Sequence, residues 1–235
     1  MFNQFIEGNN VADLSFGTAN AKTITVSFWV RSSLTGTFGG VLNNSANDRN
    51  YPFTYSISAA DTWEYKTITI AGDTSGTWLT DTSRGIALRF QLGVGSDRIA
   101  TAGSWTGTSN IFGAIGATNI IETLNATLYI TGVQLEVGES ATEFEHRPYG
   151  TELQLCQRYY QEIGKNANNL WVSAQYNSSN WWSTVQYQTE MRANPTITKS
   201  GAGTPNSTYI STDSVSYQFT TSTTYVSELK LNAEL

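Results

Sequence analysis

Short runs in which every second residue is apolar fill the first 149 positions of this chain. Ile24, Val26, Phe28 and Val30 alternate with Thr25, Ser27, Trp29 and Arg31, the period of a strand that lays one face on a core. Tyr55 and Ile57 follow, and then Trp63, Tyr65, Thr67 and Thr69 interleave with Glu64, Lys66, Ile68 and Ile70. Ile86, Leu88, Phe90 and Leu92 make a further stripe, and Phe5 and Ile6 read as strand at the start. Ala126, Leu128 and Ile130 begin a last stripe, which Val133, Leu135 and Val137 continue in the opposite phase. A slip of one residue turns every later side chain to the other face. A bulge is therefore expected near Thr131-Gly132, where glycine tolerates the unusual backbone.

Turns rich in Gly, Ser, Thr, Asn and Asp separate these runs, at 34–40, 43–50, 72–82 and 93–107. Short strands and turns without intervening helices predict an all-β protein built as an antiparallel β-sandwich. Long connections such as 93–116 favour a jelly roll. After residue 149 the period changes. Thr151 is placed to open a helix, with Gln154 completing a capping box and Glu152 at the positive end of the helix dipole. Leu153, Cys156 and Tyr160 would share a buried face, and Gly164 would end the helix. So short a helix is unstable alone and is expected to pack between two β domains.

A second strand pattern starts at Leu170. Leu170, Val172, Ala174 and Tyr176 alternate, followed by Val185, Tyr187 and Thr189, then 196–198. Val215, Tyr217 and Phe219 come next, and finally Tyr225, Ser227, Leu229 and Leu231. The expected organisation is a jelly-roll domain over 1–149, a connecting helix over 150–164 and a smaller antiparallel β-sandwich over 165–235. Five or so strands give this last domain a thin core, for which oligomerisation is the natural remedy.

Composition narrows the function classes. Aromatic residues make up 12 % of the 235 positions and charged residues only 14 %, which suits pleated surfaces and excludes both a helical bundle and disorder. The net charge is −6 and no basic run occurs, so phosphate neutralisation on nucleic acid is not expected. Cys156 is the single cysteine, which leaves no intrachain disulfide and no cysteine zinc site. No apolar run approaches the roughly 20 residues of a membrane helix, and no signal-peptide pattern follows Met1. The expectation is a protein made in a host cytoplasm and not inserted in a membrane. The strand-like start further suggests a piece of a longer chain.

Two stretches are specific in wording: GVQLEVG at 132–138 and GTELQLCQRYY at 150–160. They resemble a junction in tail fibres and related appendage proteins of tailed bacteriophages. There, such a strand closes a carbohydrate-binding-module-like jelly roll, and a GTELxLCQRYY helix opens the C-terminal tip domain. The likeness is close across 129–160 and extends more loosely through 10–40 and 190–198. It implies a homotrimer in the tail appendage of a virion, beside other phage tail proteins and facing a host cell-surface receptor. Jelly rolls of this kind often hold a structural calcium between their first and last strands. That likeness points to Glu7 and Glu136 as ligands, against the competing reading of surface carboxylates without a calcium loop motif. No other cofactor is expected.

Catalytic patterns are sparse. His146 is the only histidine, and it and Cys156 are read as packing residues. Glu64, Asp73, Asp81, Glu122 and Glu136 supply carboxylates, but no spacing marks the facing pair, ~5–9 Å apart, that glycoside hydrolysis needs. Sugar binding instead uses aromatic rings as platforms. Trp78 and Trp105 fall in polar loops, and Trp181 and Trp182 are adjacent, so one must point outward from a strand. With Asn177 and Asn180 these are the candidate ligand residues, and loop-anchoring or subunit-interface packing is the competing reading. Trp29, Trp63 and Tyr65 are assigned to a sandwich face. The leading expectation is a non-enzymatic receptor-binding region that recognises a host glycan or protein receptor. A purely structural decoration or adaptor component is the alternative, and a glycan-degrading enzyme the third.

Overall fold

The computed structural model describes residues 1–164, 171–172, 174–177, 180–201, 205, 207–219, 225–226 and 228–234. The chain divides into two compact units, Met1–Glu145 and His146–Glu234, and both are built mainly of antiparallel sheet.

The first unit contains β1 (Phe2–Glu7), β2 (Ile24–Ser32), β3 (Gly36–Asn44), β4 (Asn50–Ile57), β5 (Glu64–Ile70), β6 (Arg84–Phe90) and β9 (Leu128–Val137). A short parallel pair, β7 (Ile99–Ala100) and β8 (Gly113–Ala114), is added by the long loops. The main strands form two sheets, ordered β1-β6-β3-β4 and β5-β2-β9. Ile24, Val26, Phe28 and Val30 of one sheet and Phe38, Phe53, Tyr55, Leu88 and Phe90 of the other enter one buried cluster. Strand alternation thus works as the sequence dictates, each sheet giving one apolar face to a shared core.

The expected turn at 34–40 is mostly strand β3. Glycine weakens strands, but here Gly39 and Gly40 let neighbours approach. A Cβ on Gly40 would lie 2.4 Å from both the Phe53 ring and the Arg89 carbonyl oxygen, so only glycine fits beneath that ring. The bulge in β9 is present. Ser27 pairs with Gln134 and Trp29 with Thr131, so Gly132 and Val133 together oppose Phe28. Gly132 adopts φ +58, a left-handed conformation natural to glycine. The bulge sets Val30 opposite Ile130 and Val26 opposite Leu135, and Leu135 packs on the core. Val133 and Val137 remain exposed.

The polar turns are tied down by side chains. Asn44 Oδ1 accepts from the amides of Asp48 and Arg49, and Arg49 makes a two-pronged ion pair with buried Asp73, with both N···O distances 2.7 Å.

The second unit opens with α1 (Tyr149–Gln157), followed by β10 (Tyr160–Ile163), β11 (Trp171–Val172), β12 (Ala174–Asn177), β13 (Asn180–Gln186) and β14 (Thr196–Ser200). β15 (Ser207–Ile210), β16 (Ser214–Phe219), β17 (Tyr225–Val226) and β18 (Glu228–Asn232) complete it. The sheets are β10-β18-β14, β12-β13-β16-β15 and the pair β11-β17. Val185, Val215, Tyr217, Phe219, Leu229 and Leu231 form the core. Leu170 and Ser227, expected in strands, lie outside the described residues.

The helix differs from the sequence reading. It starts at Tyr149 with Pro148 at the N-cap position and no side-chain cap hydrogen bond, because proline carries no side-chain acceptor; its carbonyl takes the first helical bond, from the Glu152 amide at 3.1 Å. No residue of α1 is buried, and Cys156 is exposed. Tyr160 belongs to β10, where it pairs with Asn232. Gly164 therefore follows a strand rather than ending a helix.

Candidate functional site

Because Phe28 is fully buried, its neighbours Ser27 and Trp29 must face away from the core. On that outer face of β5-β2-β9 two rows cross the sheet. Tyr65, Trp29 and Thr131 form one, and Arg31 and Tyr129 on β2 and β9 form the next, beside Trp63 just before β5. Trp29 and Tyr65 have ring centroids 5.3 Å apart, and Trp63 and Tyr129 6.4 Å apart. The Arg31 guanidinium sits over the Tyr129 ring at 5.6 Å and reaches Asp61 at 3.4 Å.

All four rings are between 42 % and 49 % exposed, a contiguous aromatic surface rather than scattered apolar residues. Trp29, Trp63 and Tyr65 thus belong to a sheet face, as expected, and that face is the open one. They lie on the same sheet as the core strand but on its solvent side. The signal was available in the parity of Phe28 and Trp29.

Where β2 meets the end of β9, that outer face is closed. Gly138 carbonyl accepts from Thr25 Oγ1 at 2.8 Å, and the Glu145 amide donates to Gln134 Oε1 at 2.9 Å. Residues 138–145 are held along this end by such bonds, and Thr25 and Ser27 are buried there. Glu136 belongs to the same lock. The backbone amide and hydroxyl of Thr142, and then Gln134, hydrogen-bond its carboxylate and hold it below the ordinary range.

The sequence-derived candidates separate. Trp78 and Trp105 pack against the core, edge-on to Phe16 at 4.8 and 5.9 Å and to each other at 5.5 Å. Their indole N–H groups donate to the carbonyls of Ser75 and Ala71, so they anchor loops. Trp78 also lines a cleft of about 470 Å³ with Val11, Leu14, Phe16 and Leu79, and no ionisable side chain borders it. Trp181 packs on the second unit's core. Trp182 points the other way and stacks on Tyr209, with centroids 5.5 Å apart and ring planes 25° from parallel. Asn177 and Asn180 pair at the end of the β12–β13 hairpin; only their backbone is described, and 178–179 lie outside the described residues.

Glu7 lies in β1 and Glu136 in β9, on different sheets. Among the described residues no three His, Cys, Asp or Glu side chains cluster as metal ligands do. The remaining candidate carboxylates are each engaged by a neighbour. Glu64 is tied to Lys66 at 2.6 Å, which lowers its pKa to about 2. Asp73 is tied to Arg49, Asp81 to the Ser83 amide and Glu122 to Asn119. Comparison with protein-family models, curated proteins and solved structures returns no match. Among the described residues no helix is long and apolar enough to cross a membrane.

Proposed function

We propose that this chain is a non-enzymatic, receptor-binding region of a phage tail appendage, and that it binds host surface glycan on the outer face of β5-β2-β9. The observation that supports this reading is the open aromatic surface of Trp29, Trp63, Tyr65 and Tyr129 on a rigid sheet. A ring face against the C–H groups of a sugar gains about 0.5–1.5 kcal/mol beyond area burial, and Arg31 and Asp61 at the rim supply hydrogen bonds. On this reading the first unit is a carbohydrate-binding-module-like jelly roll and the second a smaller sandwich. The Trp182–Tyr209 stack is a secondary platform on the second unit.

Assembly as a homotrimer in the virion belongs to the same proposal. It is supported by α1, whose Tyr149, Leu153 and Leu155 are exposed although a nine-residue helix lacks stability without packing. Three weak sites on one particle act together on one surface. Binding without turnover is the expected chemistry, since each candidate carboxylate is held by its own neighbour. The test is a panel of bacterial surface polysaccharides assayed for both retention and reducing-sugar release. Retention without release is expected, and release abolished by replacing one carboxylate would favour the enzyme instead.

A further inference from the structure

Two guanidinium groups meet on the outer face of β6 without an acid between them. Arg84 Nη2 donates to the Ser45 carbonyl and, at 3.3 Å, to Asn47 Oδ1. Arg89 Nη2 donates to the same Asn47 oxygen at 3.2 Å. Both cations stack over the Phe5 ring, at 5.2 and 5.6 Å, and Arg89 also lies over Phe112 at 5.0 Å. Arg89 is only 7 % exposed. The Nε atoms of both are buried without a hydrogen-bond partner, and Arg89 Nη1 meets nothing better than the Met1 thioether at 3.9 Å.

Among the described residues neither guanidinium is ion-paired to a carboxylate, although the other largely buried arginine contact, Arg49–Asp73, is fully paired. Bringing like charges together in a desolvated place is unfavourable unless a counter-charge arrives. The ring faces, the Ser45 carbonyl and the Asn47 amide oxygen compensate only in part, and burial lowers the pKa of both groups, with Arg84 adding to the effect at Arg89.

We propose that Arg84, Arg89 and Asn47 form a binding site for a small oxyanion, entered where the half-exposed Met1 side chain now covers Arg89 Nη1. A planar guanidinium matches adjacent oxygens of a carboxylate or a phosphate, and two of them converging on one oxygen favour such a group over chloride. The site is separate from the aromatic face and does not depend on the glycan reading.

The test uses the full chain at constant ionic strength, exchanging chloride for inorganic phosphate in one arm and for acetate in the other. Melting temperature and the arginine Nε–Hε resonances are both followed. The expected result is a saturable rise in melting temperature in the millimolar range, with Arg84 and Arg89 resonances shifting along the same curve. The stronger arm assigns the oxyanion class. Asn47→Asp places a carboxylate where both arginines already donate, and Asp tolerates the left-handed backbone of this position (φ 55). This variant should melt higher than wild type in chloride and lose the anion response. Flat resonances in both arms, or anion-dependent rises equal in wild type and Asn47→Asp, would overturn the site. An equal rise would instead reflect the general stabilisation that phosphate gives any folded protein.

Discussion

Trp29 and Tyr65 stand directly opposite one another on β2 and β5, their rings 5.3 Å apart, and both stay more than 40 % exposed. One residue earlier Phe28 is completely buried. The strand therefore spends one face on the core and the other on an aromatic surface that nothing in the unit covers. Folding alone gives no reason for four large rings there, because a threonine face would pleat equally well and stay hydrated.

Exposed and loop-anchoring tryptophans should separate cleanly by mutation. Trp105→Ala removes a ring packed among Phe16, Tyr51 and Trp78 and strands the Ala71 carbonyl, so the first unit should lose about 3 kcal/mol. Trp29→Ala loses chiefly the ring pair with Tyr65 and should cost about 1 kcal/mol. Urea unfolding of the two variants measures both values. Equal losses would mean that Trp29 is part of the core.

Much of this was legible in the chain. The alternation at 24–31 and 86–92 marks the strands, and the phase change near Thr131-Gly132 places the bulge within one residue of the Gly132–Val133 pair that forms it. The aromatic face was readable in the parity of Phe28 and Trp29, but strand alternation does not say whether the face opposite the core is covered or open to solvent. β3 was missed because Gly39 and Gly40 look like a turn, and only the Phe53 ring lying on them explains a strand there. Tyr160–Ile163 was read as helix because Leu153, Cys156 and Tyr160 fit a helical face. Its pairing with Lys230, Leu231 and Asn232 is a long-range contact that no local pattern carries.

Gly132 offers a direct check on the bulge. A Cβ there would make only ordinary contacts, 3.5 Å from the Trp29 ring and 3.9 Å from Phe144, so the cost of Gly132→Ala is the left-handed backbone alone. That cost is about 1 kcal/mol, and Gly132→Asn should lose less. Thermal melts in the order glycine, asparagine, alanine are expected. An alanine variant as stable as wild type would contradict the backbone account.

Alkaline pH should destabilise the second unit in a defined window. Burial pushes the Tyr217 phenol up to about 12 from an ordinary value of 10.0, and Tyr187 is raised as well, by burial first. The unfolded chain then releases protons that the folded one retains. Stability is thus fully present below pH 10 and falls as pH rises toward 12. Because the Tyr217 hydroxyl is buried without a hydrogen-bond partner, Tyr217→Phe should match wild type at pH 7 and unfold less readily at pH 11. An unchanged alkaline midpoint would remove this explanation.

If the exposed α1 residues are covered by sister subunits, light scattering should report three chains per particle. Leu153→Glu with Leu155→Glu should then release folded monomers, with the far-ultraviolet circular dichroism of the sheets retained. A wild-type monomer at micromolar concentration would refute the trimer and leave α1 without a role in assembly.

The central claim is that the outer face of β5-β2-β9 binds host glycan. Its most direct test is the affinity of wild type, Trp29→Ala and Tyr65→Ala for a bacterial surface polysaccharide that retains the wild-type protein. Circular dichroism must first show each variant folded. Each lost ring should weaken binding about tenfold, the equivalent of about 1.4 kcal/mol, while Trp182→Ala should have the smaller effect. Polysaccharide binding that is unchanged in both Trp29→Ala and Tyr65→Ala would contradict the account.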